Sequence, residues 1–396
     1  AMNTQGAYTA IWEGSAYRIR PVTGRSDWFF VDRAIFDAHL HGVPGVQFEP
    51  QGIVVHRTHL PLLGGALYLR TSVREDRAAL DARTATRGYT LRGYQHDALD
   101  FIGPRRGVLL ADTMRLGKSA VAVHAHDPAD GPLVVVCPKA PRDIWIQWIS
   151  RRYPDWTDYG VVLTGRTYDP TRVASARYII LHYDIATAWQ SLAARKEIGL
   201  LVLDECHLLS NARSQRSQAA ILLTARAKKT LALTGTPLWN KPSSVHGILT
   251  LLSPGAWGKW FDYAERYASG HPGTHGYIAD GVSHVDEFRA RLGEVMLRRE
   301  WKDVQADLPP IERTVEVVDL APSDALRIDK LAEAARQAIR ARRIHVGEVA
   351  RYRRIAGGVK VAAAVDCARR VLDSGEPVVV WPWHKDVARL IATTVQ

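Results

Sequence analysis

From Val108 onward the chain alternates short, wholly apolar runs with helical patterns. Gly107-Val108-Leu109-Leu110-Ala111, Leu133-Val134-Val135-Val136-Cys137, Tyr178-Ile179-Ile180-Leu181, Leu200-Leu201-Val202-Leu203 and Thr230-Leu231-Ala232-Leu233 carry no polar face. Runs of this kind fit strands buried on both sides, so a parallel sheet covered by helices is predicted over about 91–255. Before it, shorter runs separated by Gly and Pro (Ala16-Tyr17-Arg18-Ile19-Arg20, Trp28-Phe29-Phe30-Val31, Gly52-Ile53-Val54-Val55, Ala66-Leu67-Tyr68-Leu69) predict a small β-rich accessory domain. The basic, Ala-rich stretch 74–87 reads as a helix or linker. After the sheet, 325–343 is helical in pattern, Pro309-Pro310 and Gly357-Gly358 punctuate boundaries, and Val378-Val379-Val380-Trp381 predicts a buried strand followed by a helix from Lys385. The expected map is an accessory domain at 1–88, an α/β lobe at 89–300, a linker or brace with a basic helix at 301–357, and the start of a second α/β lobe at 358–396. One strand and part of a helix cannot bury a sheet, so that second lobe is expected to be cut short.

Composition narrows the classes. A length of 396 residues with 46% apolar content fits two or three domains with real cores. With 23% charged residues and no apolar run of eighteen, neither a disordered chain nor a membrane-spanning one is expected. Residues 1–6 show no basic region leading into an apolar one, so the cytoplasm is the expected compartment, or the nucleus in a eukaryote. Cys137, Cys206 and Cys367 are far apart without a Cys-x-x-Cys, which argues against a disulfide framework or a zinc knuckle. The net charge of +11 is carried mostly by Arg, a residue suited to phosphate oxygens, although a GC-rich genome gives the same bias. Seven Arg and one Glu fall between Arg336 and Arg354, and Arg336, Arg340 and Arg343 share one helical stripe that could grip a phosphate backbone, pack as a brace, or simply face solvent.

Four motifs carry chemistry. In Leu110-Ala111-Asp112-Thr113-Met114-Arg115-Leu116-Gly117-Lys118-Ser119, Gly117-Lys118-Ser119 offers backbone N–H groups, an ammonium for phosphate oxygens and a hydroxyl for Mg²⁺. Asp112 stands where the strict pattern has its first Gly. Met114, Arg115, Leu116, Gly117, Lys118 and Ser119 are the candidate contacts of this loop. Asp204-Glu205-Cys206-His207 ends an apolar strand with adjacent acids, which burial penalises unless a cation is present. Asp204 would hold Mg²⁺ and Glu205 would polarise the attacking water. Thr234-Gly235-Thr236 ends the next strand and, with His207, is placed to sense a terminal phosphate. Gln95, three residues after Arg92, has an amide able to read an adenine edge.

In order, these motifs resemble the Swi/Snf-type family of superfamily 2 helicase-like ATPases. Val136-Cys137-Pro138 with Trp145, Leu251-Leu252-Ser253-Pro254-Gly255, Phe261 to Tyr267, Met296-Leu297-Arg298-Arg299 and Leu308-Pro309-Pro310 extend the similarity from about 91 to 396. The resemblance implies two RecA-like lobes of the P-loop type, ATP with Mg²⁺ as substrate and cofactor, and a double-stranded DNA track, branched or junctional DNA included, worked on by a monomer. It also implies catalytic roles for Lys118, Asp204 and Glu205, and DNA contacts at Pro138, Lys139 and the His182-Tyr183 region. Thr113 and Arg115 depart from the family's acid and glycine, and Cys206 from its small Ala or Gly. An arginine from the rest of the second lobe is expected in a longer parent, so ATP turnover by this chain alone is expected to be slow or absent. A degenerate ATPase acting as a DNA-binding scaffold is the alternative; an RNA helicase of the DEAD-box kind fits neither Asp204-Glu205-Cys206-His207 nor Thr234-Gly235-Thr236.

Overall fold

The N-terminal runs pair into an antiparallel sheet of β1 (Tyr8–Trp12), β2 (Ser15–Val22), β3 (Arg25–Val31), β4 (Gln47–Glu49) and β5 (Gly52–His56), in the order β1-β2-β3-β5-β4. The computed structural model describes residues 8–12, 15–22, 25–31, 36–50, 52–63, 77–167, 169–189, 192, 197–235, 241–274, 276–307, 315–317, 319–340 and 346–395. The run Ala66–Leu69, expected as a strand, lies outside them. Phe29, Val31, Ile53 and Val55 point to one side of the sheet and close a small core with Phe36, Leu40 and Leu60. The basic stretch before Tyr89 contains the helix Arg77–Ala85.

Seven strands then build a parallel α/β sheet of the RecA-like class. They are β6 (Gly107–Leu110), β7 (Leu133–Cys137), β8 (Gly160–Leu163), β9 (Tyr178–His182), β10 (Ile198–Leu203), β11 (Ala227–Leu233) and, after a hairpin of β12 (His271–Gly273) and β13 (Gly276–Ile278), β14 (Met296–Leu297). Their order is β14-β6-β11-β10-β7-β9-β8. Alternation along each strand splits the side chains between two cores. Leu109, Val134, Val136, Ile179, Leu201 and Leu203 pack on Ala219 and Leu223 of the helix Gln215–Arg226 and on Ile248 of the helix His246–Leu252. Val108, Leu110, Val135, Ile180, Val202 and Leu231 pack on Val121 of the helix Lys118–His124 and on Trp145 and Ile149 of the helix Arg142–Arg152. Covered on both faces, the strands need no polar side, and outside the entry of β11 at Lys228 and Lys229 their sequences are almost wholly apolar.

Two strands of this sheet went unpredicted, as did β1, β4, β12 and β13 elsewhere. β8 is a four-residue edge strand, and β14 adds two residues beside β6, reaching past the expected limit near 255.

The accessory sheet is joined to this lobe by buried charge. The Arg57 guanidinium lies 3.0 Å from Asp27 Oδ1 and 3.5 Å from Glu294 Oε2, and donates to Pro104 O at 3.0 Å. Arg291, wholly buried on the helix Val285–Gly293, donates to Ala256 O (2.5 Å) and to the Tyr267 hydroxyl (2.6 Å), and its Nη2 lies 3.1 Å from His59 Nε2.

The chain divides into two units, Ala1–Pro309 and Pro310–Gln396. The described residues of the second are helical: Pro322–Arg340, Val346–Val359, Val361–Asp373 and Lys385–Val395. Two expectations are corrected here. Val378–Trp381 forms no strand; Val379 and Trp381 are exposed, because among the described residues of this unit no neighbouring strand takes their backbone hydrogen bonds. Gly357 and Gly358 lie inside the last turn of a helix, where a side chain on Gly357 would press on Val387. Among the described residues no helix is long and apolar enough to cross a membrane.

Candidate active site

Loops leaving the carboxyl ends of β6, β10 and β11 converge because these strands are neighbours: Leu110 pairs with Leu233, and Leu203 with Ala232. This is the end of an open parallel sheet where ligands bind. β6 delivers the loop 111–117, closed by Gly117 at φ +78°, which caps the helix Lys118–His124. The left-handed backbone at Gly117 favours glycine, and a Cβ there would displace the Gln95 amide. Arg115, which departs from the family's glycine, adopts φ +69° and is exposed. Lys118 Nζ donates to Asp112 O (2.7 Å) and Thr113 O (3.1 Å). Burial pushes its pKa down, while the carboxylates of Asp112, Glu205 and Asp204 act in the opposite direction. Lysine and acids, 86 residues apart along the chain, are thus brought into one cluster. Ser119 follows, half-buried; Leu116 is buried against Tyr94 and Val304, and Met114 is exposed.

The role of Asp112 emerges only in the folded chain. The residue is buried and receives the Arg299 backbone N–H (2.9 Å), Nε (3.1 Å) and Nη2 (2.5 Å). Arg299 also donates to Tyr94 O, and its own carbonyl accepts from Thr113 N (2.9 Å) and Thr113 Oγ1 (3.2 Å). The two departures at Asp112 and Thr113 therefore bolt the loop to the segment after β14. The doublet Arg298-Arg299 directly after an apolar pair was the one available signal.

Asp204 is held on every side. Its N–H donates to Val136 O (2.9 Å), Oδ2 accepts from Trp145 Nε1 (2.8 Å), Oδ1 from the Glu205 N–H (3.0 Å), and its carbonyl from the Tyr183 hydroxyl (2.7 Å). Burial raises its pKa; the Trp145 bond works against that rise. Glu205 sits at φ +50°. Its Oε2 is 3.2 Å from His207 Nδ1, yet both atoms are buried without a hydrogen bond. Cys206 is fully buried in the core, so its departure from Ala or Gly fills space, and burial pushes its thiol pKa up.

These donors suit Mg²⁺. A hydroxyl and carboxylates are hard oxygen ligands, and Glu205 Oε2 is left without a hydrogen-bond partner. Among the described residues no three His, Cys, Asp or Glu side chains form a metal cage, so substrate oxygens would complete the shell.

Gln95 is engaged within the protein: Oε1 accepts from the Arg92 N–H (2.9 Å) and Nε2 donates to Leu116 O (3.3 Å). The amide ties the helix Gly93–Ile102 to the loop, and the side chain of Arg92 is exposed. Thr234 is buried with its N–H on Leu110 O (3.2 Å), and a Cβ on Gly235 would lie 3.4 Å from Lys118 Nζ. Thr236 lies outside the described residues.

Beside the cluster, at the ends of β7, β8 and β9, a groove of about 550 Å³ is lined by Lys139, Arg166, His182, Asp184 and Arg216. Asp184 lies 3.6 Å from Lys139, 3.8 Å from His182 and 3.9 Å from Arg216. Pro138 borders a small neighbouring cavity with Lys139 and Arg142. Tyr183, expected to face the track, is corrected: it is buried in the groove floor with its hydroxyl turned to Asp204 O. The basic stripe is described only in part. Its helix is bounded at Arg340, whose side chain, like all of Arg343, lies outside the described residues, and Arg336 is exposed and paired with Glu333 at 3.0 Å.

Comparison with known proteins matches residues 55–338 to the model of the SNF2-related domain. The SWI/SNF-related matrix-associated actin-dependent regulator of chromatin subfamily A-like protein 1 of Xenopus tropicalis is 27% identical over 87% of this chain and 37% of its own length. The human DNA annealing helicase and endonuclease ZRANB3 is 27% identical over 59% of this chain and 23% of its own. The chain thus spans well under half of the curated relatives it matches. Among solved structures, a Sulfolobus solfataricus SWI2/SNF2 ATPase core in complex with dsDNA aligns with 77% of this chain and 69% of its own, at 21% identity and a TM-score of 0.48.

Proposed function

The chain belongs to the SNF2-related family of Swi/Snf-type, helicase-like proteins, and from that premise we propose that it is the ATP-hydrolysing core of a double-stranded DNA translocase. The observation that carries this reading is the meeting of Lys118, Asp204 and Glu205 beyond the carboxyl ends of β6 and β10, the two strands that flank β11. Relatives named as a chromatin regulator and an annealing helicase support DNA as the partner. Branched or junctional DNA and a monomeric state belong to the same proposal.

Each residue has a chemical task. Lys118 exchanges two neutral carbonyl acceptors for the β and γ oxygens of ATP, a stronger charge-assisted bond. Ser119 and Asp204 hold the magnesium ion, which when bound supplies the positive charge that neutralises the phosphates. Glu205, with an oxygen that the protein leaves unbonded, orients the attacking water and accepts its proton. Thr234 and Gly235, the latter beside the Lys118 ammonium, register whether the terminal phosphate is present. Lys139, Arg166, His182 and Arg216 receive the DNA backbone.

Turnover measured with and without duplex DNA tests the assignment. Glu205→Gln should leave ATP binding in place and lower kcat by roughly 10²- to 10⁴-fold, the usual contribution of a general base. Wild-type rates in that variant would remove Glu205 from the mechanism, and no turnover in any form would leave the scaffold reading. The expected need for a second-lobe arginine is checked by comparing this chain with a longer parent; equal rates refute it.

A further inference from the structure

Asp204 is tied to both walls of the basic groove. One wall leads from β7 through Pro138 and Lys139 into the helix Arg142–Arg152, whose Trp145 donates to Asp204 Oδ2 at 2.8 Å. The other is the short helix Tyr183–Ala186, whose first residue donates to Asp204 O at 2.7 Å and whose second is Asp184, the groove's central acid. Trp145 is fully buried and Tyr183 nearly so, which makes both bonds short, dry and sensitive to movement of the elements that carry them.

We propose that Trp145 and Tyr183 are positioning residues that transmit occupancy of the basic groove to the metal-holding Asp204. A polyanion entering the groove competes with Asp184 for Lys139, His182 and Arg216, which now lie 3.6 to 3.9 Å from it. Its phosphates repel the Asp184 carboxylate, and any shift of that residue is delivered one position along the backbone to Tyr183. Lys139, drawn toward the same phosphates, pulls on the segment that begins the Trp145 helix. Both motions end on one residue, at its carboxylate and at its carbonyl. The inference rests on the ATP and DNA reading above and deepens it by naming the link between the two sites.

Coupling between two ligands is reciprocal, so it can be read from binding alone. The affinity of the full chain for Mg²⁺ with a non-hydrolysable ATP analogue is measured by calorimetry, with and without a saturating blunt duplex. A wild-type ratio of about tenfold is expected, within the usual range for allosteric coupling. Tyr183→Phe, which removes only a hydroxyl, should bring the ratio close to one while duplex affinity stays within about twofold. Trp145→Phe should do the same, and because Tyr183→Phe leaves no cavity, the test survives if the tryptophan variant folds poorly. A merely structural role would weaken nucleotide binding equally in the presence and absence of DNA. Undiminished coupling in both variants overturns the link and leaves the ATPase reading intact, whereas a wild-type protein that binds neither ligand overturns both.

Discussion

At the scale of single residues, the loop that carries Lys118 stores strain at one position and spends charge at another. Arg115 holds φ +69° with its side chain in solvent. A left-handed non-Gly residue costs roughly 1–2 kcal/mol, and glycine gives back about 0.5–1 kcal/mol through the freedom of the unfolded chain. Arg115→Gly is therefore expected to stabilise the protein by about 0.5–1 kcal/mol, read from urea unfolding; a loss of stability would mean that the arginine makes a compensating bond. The pair Asp112–Arg299 has the opposite sign. Arg299→Ala strands a carboxylate that is only 1% exposed, and removing one partner of a buried pair costs about 3–5 kcal/mol. Thermal unfolding checks this, and a drop below about 1 kcal/mol would place Asp112 in contact with water. Lys118, Ser119, Asp204 and Glu205 were legible in the sequence because a nucleotide loop and an acid pair each require fixed residue types at fixed spacing. Asp112–Arg299 was not, since nothing in a chain marks two residues 187 positions apart as partners. Tyr183 was placed in the right neighbourhood, but sequence does not tell which way a side chain at a strand end turns.

At the scale of elements, the five central strands could be read because each carries a run of consecutive apolar residues, in β11 only its last three, Leu231–Leu233. β8 and β14 escaped for a physical reason: an edge strand of four residues and a two-residue ladder have too few positions to show a period. Val378–Trp381 has the composition of a buried strand, and composition alone cannot supply the neighbour that a strand needs. The groove gives the prediction that belongs here. Asp184 neutralises cations that would otherwise meet phosphate, so Asp184→Asn should tighten duplex binding several-fold at low salt and steepen its dependence on ionic strength. Fluorescence anisotropy across a salt series measures both, and an unchanged affinity would place the DNA elsewhere.

At the scale of the first unit, acid should loosen the joint between the accessory sheet and the lobe. His59 is wholly buried, with Nδ1 3.1 Å from His56 O and Nε2 3.1 Å from Arg291, and burial, with Arg291 beside it, holds its pKa at about 3. His56, also buried, is lowered in the same direction. Above about pH 6.5 the imidazole is neutral in both the folded and the unfolded chain, and its contribution is fully present. Below that, the unfolded chain takes up a proton that the folded one refuses, so stability falls progressively toward pH 3, by about 2 kcal/mol from His59 alone between pH 6.5 and 5. Urea unfolding at the two pH values should show this slope, and His59→Gln should flatten it; a slope unaffected by the substitution would assign the acid sensitivity to other groups. Residues 1–88 were legible as β-rich and as nothing more, because the contacts that fix them to the lobe depend on single buried side chains.

The enclosure of Arg291 constrains how this chain can be cut and pasted. A chimera that borrows the α/β lobe but discards the stretch containing Pro44 and His59 uncovers a guanidinium built to live away from water, together with the Ala256 backbone that Gly45 now shields. Protein engineers who want the α/β lobe must import its N-terminal neighbour too, or replace that arginine with an apolar residue in the same stroke.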